Sequence, residues 1–372
     1  MSVVRVDPDF KPEFLAQALS LAVTSTVRTS PNPRVGCVIV ADGTVVGRGV
    51  TRVPGQAHAE VVALSEAGEL AKGAHMYVTL EPCCHVGRTP PCTEAIRASG
   101  IAKVFIGSID PNPLVCGAGI DFLVANGISA FLIDDAACTE HLAPFRRFIQ
   151  HKRPWVHLKV ASTLDGQLAT STGSSKWITG QAARAQAHRI RAQSDGVIVG
   201  IGTVLADDPR LDVREVAGTS PIAIVLDTHL RMPLDRRCLC PGTLIFHGPG
   251  VDAQKREALT TKFGVSLIEV SCSETGRLDL ASVLRKLHER QMVNVMVEGG
   301  GTLVSAFLNE KLADELSVFF APKLFGAGIS WAQAELARVA SDAVVLSQVS
   351  TMTLGDDVYI RGALSYAEGS ED

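Results

Sequence analysis

The chain has no apolar run near the ~20 residues that a membrane-spanning helix needs. It also has no run of lysine and arginine, and its formal net charge is −4 at pH 7. The first absence argues against a membrane protein. The second argues against a dedicated nucleic-acid binder, which would carry a basic surface. We therefore expect small molecules as substrates.

Signals for export and for disulfide bonding are missing as well. The first ten residues, "MSVVRVDPDF", have neither the basic flank nor the apolar stretch of a signal peptide. The nine cysteines are an odd number, spread unevenly over 372 residues, so we expect reduced thiols or metal ligands and no disulfide framework. Together these features predict a cytoplasmic protein.

The organisation of the chain predicts two α/β domains. A length of 372 residues exceeds what one hydrophobic core usually serves. Helical and strand patterns alternate from residue 11 to about residue 131, and the alternation restarts at "WVHLKV" after the polar, basic segment "APFRRFIQHKRP". We place the boundary near residues 146–154, with domains 1–148 and 149–372. The second domain is predicted to hold a mostly parallel sheet flanked by helices.

Short apolar runs mark the expected strands. The runs of the first half are "GCVIV", "MYVTL", "KVFIG" and "SAFLI". Those of the second half are "WVHLKV", "DGVIVG", "IAIVL", "TLIF", "VSLIEV", "VNVMV" and "LSVFF". Helical patterns cover residues 11–25, 181–193, 253–263, 280–290 and 302–311.

Two segments of the first half carry the pattern of a metal site, "GQAHAEVVALSEAG" and "EPCCHVGRTPPC". A zinc-dependent nucleobase deaminase needs a His or Cys ligand, a glutamate two residues later that moves protons, and a Pro-Cys with a second cysteine downstream. His58, Glu60, Cys83 and Cys92 meet these needs in that order. One imidazole and two thiolates suit zinc, whose fourth position then stays open for water.

Two other interpretations share this pattern. A deaminase of tRNA or single-stranded DNA would use the same ligands but would need a positive channel for the nucleic-acid backbone. A zinc-stabilised protein without catalysis would need a closed four-ligand site, for instance with Cys84 or His85 as the fourth ligand. Glu60 argues against that second alternative, because a structural zinc site has no use for a carboxylate at that position.

The segments "SPNPRVG", "TLEPCCHVGRTPPC" and "DPNPLVCGAG" resemble the deaminase half of the bifunctional deaminase-reductase of riboflavin biosynthesis. The resemblance implies a cytidine-deaminase-like α/β/α fold with His58, Cys83 and Cys92 as zinc ligands and Glu60 as the catalytic residue. It makes Cys84 a bystander. Thr51 stands where many members have a histidine, so a substrate contact there is an open question. Further substrate contacts are implied for Asn32, His85 and Arg88.

The second half has no Gly-x-Gly-x-x-Gly fingerprint of a Rossmann domain, but "VNVMVEGGGTLVSAFL" places three glycines between a strand and a helix. Glycines at such a turn let backbone N–H groups approach a phosphate at the helix N-terminus. A plain turn would have the same sequence. The segment therefore indicates a nucleotide site without establishing one.

The segments "LKVASTLDGQLATSTGSSKWIT" and "RAQSDGVIVGIGTVLADDPRLDVR" resemble the reductase half of the same family, over roughly residues 155–325. The resemblance implies a dihydrofolate-reductase-like α/β domain that uses NADPH. Cofactor contacts are implied for Ala161, Trp177, Thr203, Asp207 and the run from Gly300 through Gly301, Thr302 and Leu303 to Ala306. Substrate contacts are implied for Lys159, Ser175, Arg191, Leu211, Arg214 and Glu298.

The resemblance as a whole implies a bifunctional enzyme. A zinc-dependent domain would deaminate a diamino-pyrimidine ribotide, and an NADPH-dependent domain would then reduce its ribosyl group to ribityl. The sequence leaves open which of Lys159, Asp207 and Glu298 delivers a proton in the reduction. Members of the family tend to form homo-oligomers, and we expect the same here without a number of copies.

Overall fold

The computed structural model describes residues 7–113, 115–333 and 335–366. The chain divides into two compact units between Lys152 and Arg153. Residues 148 and 149 lie inside a helix of the first unit, because the basic segment that follows the first alternating region is helical up to His151. No helix among the described residues combines the length and the apolar character needed to cross a membrane. Leu114, which belongs to the "DPNPLVCGAG" stretch, lies outside the described residues.

The first unit is built on a five-stranded sheet in the order β2-β1-β3-β4-β5. Strand β1 is antiparallel to both of its neighbours, whereas β3, β4 and β5 are parallel. The strands are β1 (Gly36–Ala41), β2 (Thr44–Val50), β3 (His75–Val78), β4 (Lys103–Ile106) and β5 (Ser129–Leu132). The helices are α1 (Pro12–Thr24), α2 (Ala59–Ala67), α3 (Cys92–Ser99), α4 (Ala118–Ala125), α5 (Ala136–His141) and α6 (Ala143–His151), with a short 3-10 helix at Gly68–Ala71.

Helices cover both faces of this sheet. Cys37 and Ile39 of β1 pack with the alanine-rich face of α2, while Val38 and Val40 pack on the opposite side with Leu15 of α1. Alternate residues of one strand therefore enter two separate cores, as the pleat of a strand requires. The α/β/α layering that the resemblance implies is present.

The second unit holds a nine-stranded sheet in the order β11-β10-β9-β8-β12-β6-β13-β16-β15. The strands from β11 to β13 are parallel, and β16 and β15 extend the sheet in antiparallel fashion. The strands are β6 (Trp155–Thr163), β7 (Gln167–Thr170), β8 (Gly196–Gly200), β9 (Ile222–Leu226), β10 (Leu244–His247), β11 (Ser266–Glu269), β12 (Asn294–Glu298), β13 (Glu315–Ala321), β14 (Gly328–Ser330), β15 (Val345–Leu354) and β16 (Asp357–Ser365). Strands β7 and β14 form a separate small sheet.

Five helices flank the large sheet. They are α7 (Gln181–Gln193), α8 (Ile201–Asp207), α9 (Ala253–Phe263), α10 (Leu280–Glu289) and α11 (Gly301–Asn309), and a 3-10 helix spans Ala340–Asp342. The apolar side chains of α10 and α11 pack on one face of the sheet, and those of α7, α8 and α9 pack on the other. In this arrangement the loops that follow β6, β12, β8 and β9 open at one edge of the parallel strands, which is where ligands bind in open α/β sheets.

Candidate functional site

The first unit brings together His58, Cys83 and Cys92, the three side chains that the sequence singles out as metal ligands. Each is placed by the start of a helix or the end of a strand: His58 directly precedes α2, Cys83 lies in the loop after β3, and Cys92 is the first residue of α3. Their ligand atoms all lie within 4.8 Å of one another. Cys84, the neighbouring thiol, does not belong to this group of described residues.

The spacing of these atoms fits a tetrahedral zinc ion. Zinc–sulfur and zinc–nitrogen bonds of about 2.3 and 2.05 Å at tetrahedral angles separate sulfur from nitrogen by about 3.6 Å. The Nδ1 atom of His58 lies 3.7 Å from the Cys83 sulfur and 3.3 Å from the Cys92 sulfur. With one imidazole and two thiols aimed at a common point, the donor set and its geometry both suit zinc.

The cysteine pair is prepared for deprotonation. A hydrogen bond from Cys92, opposed by burial and supported by His58, lowers the pKa of Cys83 to about 4. The backbone N–H of Cys92, at the N-terminus of α3, also donates to the Cys83 sulfur at 3.3 Å. The hydrogen bond to Cys83 and burial raise the pKa of Cys92, so the two sulfurs share one proton that a metal would displace.

Glu60 stands in the first turn of α2, two residues after His58, and its side chain is buried. Burial and the nearby Cys83 raise the pKa of Glu60 to about 7, and a hydrogen bond with Cys92 opposes that rise. A carboxyl group that sits against a metal ligand without being part of the ligand set is placed to exchange protons with a bound molecule.

Sequence reasoning missed two residues that support the metal site. The hydroxyl of Thr89 lies 3.5 Å from Nε2 of His58, the ring nitrogen that faces away from the two sulfurs. The buried carboxylate of Glu81, two residues before Cys83, accepts hydrogen bonds from the backbone N–H groups of Gly119 at 2.9 Å and Gly117 at 3.0 Å, and from two more amides. Both residues lie in the quoted "TLEPCCHVGRTPPC" motif, so the signal was present although no role was assigned to them.

The implied substrate residues of the first unit have more varied surroundings. Asn32 lies in a turn, where its backbone N–H donates to the Thr29 carbonyl at 2.9 Å. The Nδ1 atom of His85 is buried without a hydrogen-bond partner among the described residues, and Arg88 is exposed. Thr51 is buried and its hydroxyl accepts a hydrogen bond from the Val35 N–H at 3.1 Å. That bond gives Thr51 a structural role next to the "SPNPRVG" segment.

The second unit contains a cavity of about 1020 Å³ at the edge of the sheet where the parallel strands end. Its walls come from β6, from β7 and the segment that follows it, from the segments after β8, β9, β11 and β12, and from α11. Most of the residues that the resemblance assigns to cofactor or substrate line it, namely Lys159, Ala161, Ser175, Trp177, Thr203, Asp207, Leu211, Glu298, Gly300, Thr302 and Leu303. Arg191, Arg214 and Gly301 are not among the described residues of its wall.

Arg191 does not line the cavity, but it binds Glu298, which does. Its guanidinium binds the Glu298 carboxylate through two hydrogen bonds of 2.5 and 2.6 Å, and both side chains are nearly buried. Burial raises the pKa of Glu298, but the charge and hydrogen bonds of Arg191 outweigh it and lower that pKa to about 2. Lys159, beside Glu298 in the sheet register, has its pKa lowered by burial and partly restored by Glu298.

Arg214 sits apart from this pair. Its side chain is half-exposed and binds Asp212 at 2.7 Å. Its backbone N–H donates to Nδ1 of His188 at 3.3 Å. In this structure Arg214 therefore carries a loop ion pair, and a contact with a substrate phosphate would require the guanidinium to exchange Asp212 for the ligand.

The three glycines after β12 have different surroundings. Gly300 precedes α11 and has open space where a Cβ atom would stand, whereas a Cβ on Gly301 would lie 2.3 Å from the Ser330 carbonyl oxygen. Gly300 thus faces the cavity, while Gly301 permits close packing of the helix against the small sheet. The predicted role of the glycine run in phosphate binding fits Gly300 and the following amide groups.

Alanine substitutions should separate these two roles. Gly301→Ala is expected to destabilise the second unit by about 1–3 kcal/mol, because the methyl group overlaps a backbone oxygen that cannot move freely. Gly300→Ala is expected to keep the parent melting temperature and to weaken NADPH binding, since its methyl group occupies the approach to the helix N-terminus. Thermal unfolding and NADPH titration measure both effects. An unchanged melting temperature for Gly301→Ala would contradict the packing role.

Comparison with family models finds matches in both halves of the chain. Residues 154–360 match the RibD C-terminal domain, and residues 9–108 match the cytidine and deoxycytidylate deaminase zinc-binding region. The riboflavin biosynthesis protein RibD of Aquifex aeolicus is 41% identical over 93% of this chain and 96% of that protein. The RibD protein of Escherichia coli is 40% identical over 84% of this chain and 88% of its own length.

Solved structures give the same result. RibD of Acinetobacter baumannii superimposes with a TM-score of 0.82 at 37% identity, covering 95% of this chain and 98% of that one. A diaminohydroxyphosphoribosylaminopyrimidine deaminase/5-amino-6-(5-phosphoribosylamino)uracil reductase of Thermotoga maritima gives a TM-score of 0.79 at 31% identity, with the same coverage. The chain therefore belongs to the RibD family of riboflavin biosynthesis, with a zinc-binding deaminase domain followed by an NADPH-dependent reductase domain.

Proposed function

We propose that the first unit deaminates 2,5-diamino-6-(5-phosphoribosylamino)pyrimidin-4-one and that the second unit reduces the ribosyl group of the product to ribityl. The observation that carries the deaminase assignment is the three-ligand site with Glu60 beside it. Within the described ranges, no fourth His, Cys or carboxylate joins His58, Cys83 and Cys92, and an open position is typical of catalytic zinc. This geometry supports an enzyme over a zinc-stabilised binding protein.

In the proposed deamination, the three ligands hold the metal and Glu60 moves the protons. Zinc supplies a Lewis acid that makes hydroxide available from water at neutral pH. Glu60 takes a proton as oxygen adds to the ring carbon that carries the 2-amino group. It returns protons to the ring nitrogen and to the departing amine, so that one water is consumed and one ammonia is released. Asn32, His85 and Arg88 are proposed to contact the substrate.

In the proposed reduction, NADPH supplies a hydride to the anomeric carbon of the ribosyl group. The bond between that carbon and the ring oxygen breaks, and the oxygen takes a proton. Arg191 keeps Glu298 as a carboxylate, which has no proton to give at neutral pH. Lys159 lines the same cavity, and burial lowers the pKa of its ammonium group, which makes that group a stronger proton donor. We therefore assign the proton transfer to Lys159 and the positioning of Lys159 to Glu298.

Removal of the metal tests this proposal, because only the first of the two reactions is expected to need it. A chelator that removes zinc from the purified chain is expected to abolish ammonia release from the diamino-pyrimidine ribotide. NADPH oxidation is expected to persist when the deaminated ribotide is supplied, because the second unit does not use the metal. Ammonia release and NADPH oxidation are both followed photometrically. A metal-loaded chain that releases no ammonia would contradict the deaminase assignment. If removing the metal also abolishes NADPH oxidation, the proposal that the two reactions are independent is contradicted.

Two broader proposals accompany this function. A cytoplasmic location is supported by the nine cysteines, all of which are free thiols. A small-molecule enzyme that binds neither nucleic acid nor membrane is supported by the balanced charge. Formation of homo-oligomers is proposed from the resemblance to the family alone.

A further inference from the structure

The metal ligand Cys83 lies in a loop, whereas the other two ligands adjoin helices. Residues 79–91 join β3 to α3 without a helix or a strand. His58 directly precedes α2, and Cys92 is the first residue of α3. A residue in a loop has no ladder of helix or sheet hydrogen bonds, so the position of the Cys83 sulfur depends on the individual contacts of its segment.

One set of contacts to Cys83 comes from α3. The backbone N–H of Cys92 donates to the Cys83 sulfur at 3.3 Å. The backbone N–H and the hydroxyl of Thr93 both donate to the Cys83 carbonyl oxygen, at 3.2 and 3.3 Å. These bonds join Cys83 to α3 but do not reach the two residues that precede it, and Pro82 has no N–H group to donate.

The other set of contacts comes from Glu81, two residues before Cys83. Glu81 is only 3% exposed, and its backbone N–H donates to the Ser108 carbonyl oxygen at 2.9 Å. Each of its two carboxylate oxygens accepts two backbone N–H groups. The donors are Asp110 at 3.2 Å and Gly117 at 3.0 Å on one oxygen, and Gly119 at 2.9 Å and Ile120 at 3.2 Å on the other. Four such bonds compensate for removing the carboxylate from water.

These donors belong to the N-terminus of α4 and to the loop before it. Gly119 and Ile120 are the second and third residues of α4, whose N–H groups have no partner within a helix. An N-cap side chain usually accepts them, but the N-cap of α4 is Gly117, which has no side chain. Glu81 therefore caps α4 from another part of the chain, and its negative charge suits the positive end of the helix dipole.

Gly119 lets α4 contact the backbone beside Cys83. A Cβ atom on Gly119 would lie 2.2 Å from the Pro82 carbonyl oxygen and 3.1 Å from a Glu81 carboxylate oxygen. Leu123 of α4 is fully buried in the core of the first unit, so the helix has a fixed place there. Glu81 thus ties the residues before Cys83 to a rigid element, as the bonds from α3 tie Cys83 itself.

We infer that Glu81 is a positioning residue of the deamination: through α4 it holds Cys83 where the sulfur can share a zinc ion with His58 and Cys92. For its effect on catalysis the inference rests on the proposed deaminase function. Glu81→Gln keeps the shape of the side chain but replaces one accepting oxygen by an NH2 group, which faces N–H donors. Two of the four bonds are then lost, and the segment before Cys83 separates from α4.

The zinc affinity of the folded, full-length chain tests this role. Residues that orient a metal ligand typically contribute about 10- to 100-fold to metal affinity, so we expect Glu81→Gln to weaken zinc binding by that factor in competition with a chromophoric chelator. Glu81→Asp keeps the charge but shortens the reach, and it should weaken zinc binding less.

Asp135→Asn is the matched control. Asp135 is also a carboxylate that caps a helix of the first unit, since it accepts the Cys138 N–H at the start of α5 at 2.8 Å. It does not belong to the metal group, so Asp135→Asn should keep the parent zinc affinity even where it lowers the melting temperature.

Cobalt(II) in place of zinc gives a readout that a loss of stability alone does not move. Cobalt bound to thiolates has a sulfur-to-cobalt charge-transfer band, and its visible absorption depends on the ligand geometry. With cobalt at saturation and the temperature well below the unfolding transition, Glu81→Gln is expected to have a weaker charge-transfer band than the parent. Asp135→Asn is expected to have the parent spectrum.

Parent zinc affinity and a parent cobalt spectrum in Glu81→Gln, together with a lower melting temperature, would show that Glu81 only stabilises the fold. That result overturns the inference. If Glu81→Gln does not fold, Glu81→Asp takes its place, and parent zinc affinity in Glu81→Asp overturns the inference in the same way.

Turnover separates this inference from the function on which it rests. At saturating zinc, Glu81→Gln should release ammonia with a lower kcat and little change in KM, since it displaces the metal and not the substrate contacts. A parent chain that binds zinc but releases no ammonia contradicts the deaminase assignment, whereas the metal affinities still decide the role of Glu81. A parent that releases ammonia, together with a Glu81→Gln variant of parent zinc affinity, leaves the deaminase assignment in place and removes Glu81 from the positioning of Cys83.

Discussion

Glu60→Gln is expected to lower the rate of ammonia release by about 10²- to 10⁴-fold, the range that a positioned general acid–base group contributes. The substitution preserves the size of the side chain and removes its ability to accept and return a proton. Glu60 belongs to the first turn of α2 and hydrogen-bonds with Cys92 without being part of the ligand group. Zinc content should therefore stay at the parent level.

Two readouts make this expectation specific. Metal analysis of the purified variant shows whether the ligand set is intact, and NADPH oxidation with the deaminated ribotide shows whether the second unit is active. Glu69→Gln, an exposed glutamate just after α2, is the matched control and should keep the parent rate. A Glu60→Gln variant that holds zinc and releases ammonia at more than about a tenth of the parent rate would contradict the proton-transfer role.

Much of the fold follows from the sequence because buried strands of α/β proteins are short continuous apolar runs. Each run quoted for the two halves corresponds to a strand, and the helical patterns at 181–193 and 253–263 match α7 and α9. Strand β2 was missed because its sequence, "TVVGRGV", contains glycines that usually break strands. The structure explains them: a Cβ on Gly49 would lie 1.9 Å from the Ala59 carbonyl oxygen, so only glycine lets α2 approach this closely.

Strand β15 escaped prediction for a different reason. Residues of β15 are almost all exposed at the edge of the sheet, so they carry no apolar alternation that a sequence pattern could reveal. The helix α6 was hidden in a segment interpreted as a polar boundary. Its Phe145 and Phe148 are buried while its basic residues face outwards, which makes the segment amphipathic.

In the candidate sites, too, some features could be predicted from the sequence and others could not. Ligand residues could be predicted because metal chemistry restricts which side chains occur and at what spacing. By contrast, contacts between residues that lie far apart along the chain could not be predicted. Nothing in the sequence pairs Arg191 with Glu298, 107 positions away, or Thr51 with Val35.

Arg191→Met is expected to destabilise the second unit by about 3–5 kcal/mol, because it leaves the Glu298 carboxylate buried without its bidentate partner. For a unit of this size such a loss lowers the melting temperature by about 10 °C. The transition of the second unit can be recognised by its upward shift when NADPH is added. Lys286→Met, which removes an exposed ion pair with Glu289, is the control and should cost less than about 1 kcal/mol.

A double variant tests the cause of this destabilisation. Combining Arg191→Met with Glu298→Met removes both charges of the ion pair and is expected to recover much of the lost stability, because paired apolar side chains replace a buried ion pair at little cost and the neighbouring Lys159, whose pKa burial already lowers, can lose its proton. Recovery would show that the unpaired carboxylate, and not a void at Arg191, causes the loss. A double variant as unstable as Arg191→Met would show the opposite.

The pH dependence provides an independent test of the same pair. In the parent, the pKa of Glu298 is lowered from 4.5 to about 2, so the carboxylate stabilises the folded state fully above about pH 4.5 and loses this contribution as pH falls towards 2. Without Arg191 the pKa of Glu298 rises, because burial remains while its strongest partner is gone. The stability deficit of Arg191→Met should therefore be largest near pH 8, narrow as pH falls through the raised pKa of Glu298 in the variant, and narrow further below about pH 4.5, where the parent loses its own contribution. A deficit that is constant down to pH 4 would mean that Arg191 stabilises the second unit by packing alone.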